Sequence, residues 1–373
     1  MKLAPGEHHL ARHARLRTAL RATGVDALIV TSLPNIAYLT GLFASTAMLL
    51  VGRDEMRLFV DARYLPPATD RLAAVDGLSL TLISSGGSFE DSLAGALQAY
   101  SGGRVGIEAG HMTVRQHFCL TSRLAEMGSP KVLEATDDMV ENLRSVKDSW
   151  EIAQLREAAA RLSDAAKCII PKALAGMRER DMAGLIEGEL RRVGFDKPAF
   201  DTIVASGPNS AIPHYRSGDR RLETGDLVVL DFGGMLDGYA VDLSRTITVG
   251  PASERARRVL DDVVAAQQAA FAAVRVGRPA TEIDEAARQV LERAGLGAAF
   301  SHGTGHGLGL EVHERPRVTR SRPNLPVEPL EVGMVFTLEP GAYLPGWGGV
   351  RIEDDVVVTM EGPEWLTDVP RLM

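Results

Sequence analysis

Cysteine is nearly absent: Cys119 and Cys168 are the only two in 373 residues, far apart and with no CxxC pattern. That excludes a disulfide scaffold and a zinc knuckle, and it predicts a reducing, cytoplasmic setting. No apolar run approaches the roughly 20 residues needed to span a bilayer, so no membrane partner is expected. Residues Met1 to His9 carry charge and a proline but no apolar stretch, which predicts no secretory leader at this end. Basic residues are in the minority, 41 Lys and Arg against 49 Asp and Glu, for a formal net charge of −8. Nucleic acid is therefore excluded as the main partner. Long polar tracts are missing too, and a 45% hydrophobic content excludes disorder for the bulk of the chain.

What is present is enough chain for two cores, because single cores stop growing near about 250–300 residues. The first third alternates helix and strand. Residues 8–23 read as an amphipathic helix stopped by Gly24, Asp26 to Thr31 as a buried strand, and Met48 to Val51 with Met56 to Val60 as a hairpin around Arg53-Asp54. The stretch Phe43 to Val51 is apolar, which fits a buried strand better than a subunit contact. This alternation predicts an α/β domain with a mixed sheet. The texture changes over 137–142, which divides the chain into residues 1–137 and 138–373. Beyond it, helices are expected at 150–174, 180–194, 253–275 and 281–294, with Gly194, Gly277 and Gly295 as C-terminal stops. Strands rich in Val, Leu, Ile and Thr lie between and after them, so the second domain reads as α+β. Within it, Gly225 to Asp231 (GDLVVLD) echoes Gly333 to Glu339 (GMVFTLE), a faint repeat that points to two related halves.

The strands carry unusual acids. One hairpin, Leu227 to Phe232 and Tyr239 to Val249 around Asp237-Gly238, brings Asp231 and Asp242 nearly opposite one another. Opposed carboxylates repel unless a cation or a shared proton compensates. A second hairpin, Met334 to Glu339 and Val350 to Val358, does the same for Glu339 and Glu353, with Arg351 on the face of Glu353, where a neutralising ion pair is the simplest expectation. Between them runs His302-Gly-Thr-Gly-His306-Gly-Leu-Gly309. Glycine at every second position argues against a helix and for an extended or looped backbone that a neighbour approaches closely. His313 and His214 fall in similar Gly-, Pro- and apolar-rich segments. Four carboxylates with an imidazole suit Mn²⁺, Co²⁺, Fe²⁺ or Zn²⁺ and not copper, and the charge matches two divalent ions.

These residues resemble the ligand set of the pita-bread metallopeptidases, the prolidases, Xaa-Pro aminopeptidases and methionine aminopeptidases. The resemblance extends to the strings DFGGMLDGYAVDLSRT, HGTGHGLGLEVHERP, LEPGAY and VRIEDDVVV. Residues 34–43 and 58–64 resemble the creatinase-type N-terminal domain of the Xaa-Pro branch, and 143–159 its junction with the catalytic domain. The resemblance implies a creatinase-type domain followed by a pita-bread domain with pseudo-twofold halves. It implies that Asp231, Asp242, His306, Glu339 and Glu353 hold two metal ions, manganese or cobalt before zinc or iron. It implies Xaa-Pro hydrolysis by a metal-bridged water, as a dipeptidase before an aminopeptidase. Glu339 would also carry the proton, His313 would face the oxyanion, His214 the scissile nitrogen and His302 the proline ring. Arg351 would orient the ligand carboxylates, and Tyr239 would hydrogen-bond one of them. Arg216, Arg315 and Arg317 are candidates to receive the substrate carboxylate, and a homodimer is implied. Two other readings stand beside it: a metal-dependent hydrolase or lyase of a small non-peptide substrate, and a non-catalytic peptide-binding module.

Overall fold

The structure is a computed structural model that describes residues 2–73, 80–321, 323, 327 and 329–371. It divides into two compact units, residues 2–144 and residues 145 onward.

The first unit contains α1 (Gly6–Thr23), β1 (Ala27–Val30), α2 (Leu33–Thr40), β2 (Met48–Gly52), β3 (Met56–Val60), α3 (Leu65–Ala73), β4 (Thr81–Ser84), α4 (Phe89–Ala99), β5 (Arg104–Glu108), α5 (Val114–Glu126), β6 (Val132–Thr136) and α6 (Met139–Ser145). Its six strands form one mixed sheet in the order β4-β3-β2-β1-β5-β6, with β2 antiparallel to both of its neighbours and the outer pairs parallel. Of the apolar stretch Phe43 to Val51, Met48 to Val51 is buried in β2 and is core, whereas Phe43 is 40% exposed. The helix α6 belongs to this unit, beyond the boundary drawn from the sequence. Asn35 explains why, since its Nδ2 donates to Glu141 (2.6 Å) and its Oδ1 accepts from Arg144 (2.6 Å).

The second unit begins with α7 (Ser149–Ile169), capped by a reciprocal pair of Asp148 and Glu151 hydrogen bonds, and α8 (Glu179–Arg192). There follow β7 (Lys197–Pro198), β8 (Ile203–Ser206), and the long hairpin β9 (Leu227–Leu236) and β10 (Tyr239–Thr248). A second set repeats the plan: α9 (Glu254–Ala273), α10 (Thr281–Arg293), β11 (Gly305–Gly307), β12 (Glu314–Val318), β13 (Val335–Leu338), β14 (Gly341–Leu344), β15 (Gly348–Arg351), β16 (Asp354–Thr359) and β17 (Gly362–Trp365). Each half is thus a helix pair over an antiparallel hairpin. Val228, Leu230 and Phe232 of β9 share a core with Leu155, Leu162 and Ile186 of α7 and α8. Phe336, Leu338, Val356 and Val358 share another with Val263, Ala270 and Ile283 of α9 and α10. Each such side chain contributes about 1.5–3 kcal/mol on leaving water, which fixes the register. The halves meet where Ser244 of β10 bridges to Glu353.

Arg245, fully buried, fastens this seam. It donates to the Glu353 carbonyl (2.6 Å), the Asp354 carboxylate (2.7 Å), and the carbonyls of Val369 (2.8 Å) and Pro370 (3.0 Å). One expected stop is absent: α9 ends at Ala273, Val274 is already extended, and Gly277 lies in a later turn where its amide donates to Leu330.

Candidate metal centre

The turn at Asp237-Gly238 takes positive φ at both positions and closes on Leu236 and Tyr239. That register pairs Asp231 with Ser244 and Asp242 with Gly233. The two aspartates are therefore diagonal neighbours on one face, two positions out of the opposed arrangement expected. The even positions of β9 are committed to the helices, so Asp231 points away from them. The second hairpin is not continuous. Leu338 pairs with Asp354 and Gly341 with Arg351, and Glu339 and Glu353 occupy the break between these two ladders. Freed from ladder pairing, both acids project at the seam beside β10. The glycines of β11 serve close approach. A Cβ on Gly305 would collide with the Thr337 carbonyl, and one on Gly307 with the Arg315 carbonyl. This brings His306 beside β13.

Among the described residues, Asp242, His306 and Glu353 each offer one donor atom, all within 4.8 Å of one another. His306 Nε2 is 3.6 Å from Glu339 Oε1 and 4.0 Å from Asp242 Oδ2. Its Nδ1 lies 3.1 Å from the Gly307 carbonyl. The proton therefore sits on Nδ1 and the Nε2 lone pair faces the acids, the tautomer a metal ligand needs. Burial and the neighbouring His313 hold His306 down to about 4, so it is neutral at physiological pH.

The acids carry the opposite stress. Burial, reinforced by Asp231, Asp355 and Glu339, drives Asp242 far above the usual carboxylate range. Burial, then Asp242, Glu339 and Asp231, does the same to Glu353. Burial pushes Glu339 up to about 8, although Arg351 opposes it. Asp231 Oδ1 is buried without a hydrogen-bond partner. A buried cluster of repelling carboxylates, one with an orphaned oxygen and three of them close to a neutral imidazole, fits divalent cations well. Positive charge placed there would remove both the repulsion and the unsatisfied acceptor.

Arg351 is the guanidinium of the cluster, but its ion pair is with Asp231 Oδ2 (2.5 Å), not with Glu353. Ser244 mediates the other half: Arg351 Nε donates to Ser244 Oγ (2.9 Å), which donates to Glu353 Oε2 (2.8 Å). The third arm of Arg351 reaches the Tyr343 hydroxyl (2.8 Å) and the Pro213 carbonyl (3.3 Å). Burial opposes its charge, but Tyr343, Asp231, Glu339 and Glu353 more than offset that and raise its pKa. Tyr343 Oη also lies 2.8 Å from His302 Nε2, and burial lifts this phenol to about 12.

His302 is held down to about 4, chiefly by burial, and its Nδ1 is 3.8 Å from Glu339 Oε2. Its segment is pinned from α10. Asp284 accepts from the Thr304 amide (3.0 Å) and hydroxyl (2.9 Å), and Arg288 donates to the His302 carbonyl. His313 is exposed, with its ring 4.3 Å from that of His306, and burial of its inner edge lowers its pKa. The adjacent Glu314 pairs with buried Lys147 at 3.2 Å. His214 is exposed and close enough to His302 and His313 to depress both. Arg216, in the same loop, has a side chain 93% exposed, and Arg317 faces His306 across the β11–β12 ladder. Tyr239 donates to Glu151 of α7 (2.9 Å), an acid outside the expected ligand set. Ser244, Tyr343, Asp284 and Arg288 were missed by sequence reasoning. Tyr343 sits in the quoted string LEPGAY, but nothing in that string marks its hydroxyl as a bridge.

The family model for metallopeptidase family M24 matches residues 153–360, and that for the creatinase/prolidase N-terminal domain matches residues 12–146. The chain belongs to metallopeptidase family M24. This metallopeptidase is 33% identical to the Xaa-Pro dipeptidase of Pyrococcus horikoshii over 93% of its own length and 94% of the relative. It is 35% identical to an uncharacterized peptidase of Bacillus subtilis, covering 96% and 98% of the two chains. Among solved structures, the Xaa-Pro dipeptidase from Bacillus anthracis superposes with a TM-score of 0.91 at 31% identity, covering 98% of this metallopeptidase and all of that chain. The X-Pro aminopeptidase from Thermotoga maritima gives 0.84 at 31% identity, covering 95% and 100%. Among the described residues of the metallopeptidase, no helix is long and apolar enough to cross a membrane.

Proposed function

We propose that this metallopeptidase hydrolyses the Xaa-Pro bond of dipeptides, with Asp231, Asp242, His306, Glu339 and Glu353 holding two divalent cations. The observation that carries the reading is that Asp242, Glu339 and Glu353 meet at the neutral His306 imidazole, while Asp231 crowds Asp242 and is held by the Arg351 guanidinium. Bound there, manganese or cobalt would polarise the scissile carbonyl and acidify water.

The protein's own groups do the rest. Glu339 lies between His306 and His302, and its raised pKa suits it to take the proton of the attacking water and hand it to the leaving amine. His313, beside His306 and open to solvent, donates to the carbonyl oxygen as negative charge develops there. His214 stands by the scissile nitrogen, and the face made by Phe300, His302 and Tyr343 receives the proline ring. Arg351 holds Asp231 and, through Ser244, Glu353, so that two ligands move as one body. Arg216 on the His214 loop receives the carboxylate of a dipeptide. A preformed ring pocket answers a chemical difficulty, since proline lacks the amide proton by which most peptidases align their substrates. The protein acts as a homodimer, and its two free cysteines suit the cytoplasm.

The test compares Xaa-Pro with Xaa-Pro-Yaa at defined metal loading. Dipeptides should be turned over faster. EDTA should abolish activity, and Mn²⁺ or Co²⁺ should restore it. Full turnover in chelator, or no turnover of any Xaa-Pro dipeptide with any metal, would refute the reading.

A further inference from the structure

Glu179 is the first residue of α8 and is fully buried. Its Oε1 accepts from the Ser206 amide (2.8 Å), the Ser206 hydroxyl (2.7 Å) and Asn209 Nδ2 (3.0 Å). Its Oε2 accepts from the Gly218 amide (3.2 Å). The main chain reinforces this grip: the Glu179 amide donates to the Arg220 carbonyl (3.0 Å) and the Arg180 amide to the Gly218 carbonyl (3.1 Å). A carboxylate oxygen accepts readily from several donors, and here Oε1 takes three and Oε2 one, drawn from two limbs of one loop. Such charge-assisted bonds are stronger than neutral ones, which is what offsets burying the charge.

The loop between those limbs, residues 206–218, carries His214. Around that histidine Ile212 is 51% exposed and the Arg216 side chain 93%. Inside the loop Asn209 Nδ2 also donates to the Tyr215 hydroxyl (2.9 Å). Towards its tip, Ser210 Oγ accepts from the Gly349 amide (2.8 Å), and the Pro213 carbonyl accepts from Arg351 (3.3 Å). An exposed loop of this length normally samples many positions. Here both limbs end on one carboxylate, and the tip rests on the guanidinium that also holds Asp231.

We propose that Glu179 is a positioning residue for the reaction: by clamping both limbs of the 206–218 loop it fixes where His214 and Arg216 stand over the metal centre. The proposal rests on the Xaa-Pro reading for the roles given to His214 and Arg216. Glu179 touches neither substrate nor metal in this scheme. A group displaced by about 1 Å loses roughly 10²-fold in rate, which sets the scale of the effect.

The experiment uses the metal-loaded full chain and Glu179→Gln. That change keeps the shape but replaces two acceptor lone pairs with an amide that faces the Gly218 amide. Trypsin cleavage at Arg216-Ser217, followed by mass spectrometry without substrate, should accelerate about tenfold or more. Metal content should stay unchanged, and kcat on an Xaa-Pro dipeptide should fall by roughly 10–100-fold. In the cycle with His214→Ala, the double variant should lose clearly less than the product of the two single losses, the remaining loss being what Glu179 supplies through Arg216. Asn209→Ala, which removes one of the four donors, should shift cleavage and kcat in the same direction by less, and it serves should Glu179→Gln fail to fold. Unchanged cleavage at Arg216 in both variants would overturn the clamp. A full Glu179→Gln loss repeated on the His214→Ala background would overturn the link to His214. The cleavage arm needs no substrate, so failure of the Xaa-Pro reading would show as an inactive parent enzyme and leave the clamp result standing.

Discussion

Acid should weaken the first unit through two of its own buried histidines. His9 and His13 lie on the buried face of α1, 1% and 3% exposed. Arg71 donates to His9 Nε2 (2.8 Å), so the His9 proton sits on Nδ1 and the ring is neutral. His13 Nε2 donates to the Leu39 carbonyl (2.7 Å). Burial, then Arg12, Arg71 and His13, hold His9 down from 6.5 to about 3. Burial, with Arg17 and Arg12 and against the Leu39 carbonyl, holds His13 down to about 4. Both folded values lie below the unfolded value, so the unfolded chain binds the extra protons. The stability is whole above pH 6.5 and is lost as pH falls towards 4. At about 1.4 kcal/mol per unit, each histidine should forfeit roughly 2–3 kcal/mol between pH 6.5 and 4.5, some 5 kcal/mol together. That is comparable with the whole stability of a typical domain, about 5–15 kcal/mol. Glu108 works the other way, since burial raises its pKa and protonation there favours the fold. The histidine effect is therefore read as a difference. Calorimetry from about pH 7.5 to 4.5 should show the transition of residues 2–144 falling steeply in the parent and less steeply in His9→Gln/His13→Gln. A gap between the two that stays constant within about 1 kcal/mol across that range would refute the argument.

His306→Ala should lose metal, measured per chain after dialysis, by more than the roughly 10–100-fold typical of a supporting residue, and activity should fall with it. Glu353→Gln should also lose metal, yet raise the melting temperature of the metal-free protein, because it removes one of the carboxylates that repel Asp242. His313→Ala should retain full metal and lose kcat by roughly 10²–10³-fold, and near-normal turnover would remove His313 from its place at the oxyanion.

Local pattern foretold much of this molecule, and longer-range geometry the rest. The helices at 180–194 and 281–294 were marked by apolar period and glycine stops, and α8 and α10 lie there; the one expected at 150–174 had no such stop, and α7 ends earlier, at Ile169. The β2–β3 hairpin and both acid-bearing hairpins were equally visible. The offset of Asp231 from Asp242 was not, because register depends on which residues close a two-residue turn, and centring the acids by eye missed by one position on each strand. The split of the second hairpin at Glu339 and Glu353 was hidden for a related reason. Both ladders keep one register about the turn, so nothing in the spacing marks the gap between them. Arg351 was assigned to Glu353 by nearness in sequence, whereas folding delivers it to Asp231 on another strand. Lys147 with Glu314, Asp284 with Thr304, and Glu179 with Ser206 join residues too distant in sequence for period or spacing to couple them.

The Arg245 seam also sets an order of events during synthesis. Its guanidinium holds the backbone of Glu353 and, with the same hand, the carbonyls of Val369 and Pro370. While the ribosome is still translating that region, Arg245 has already emerged but lacks half of its acceptors. Its hydrogen-bond set is complete only once Val369 and Pro370 have been made and have folded back, so the seam between the two hairpins closes late. Any change that removes Val369 and Pro370 would strip Arg245 of two carbonyl acceptors and loosen the seam beside the acid cluster.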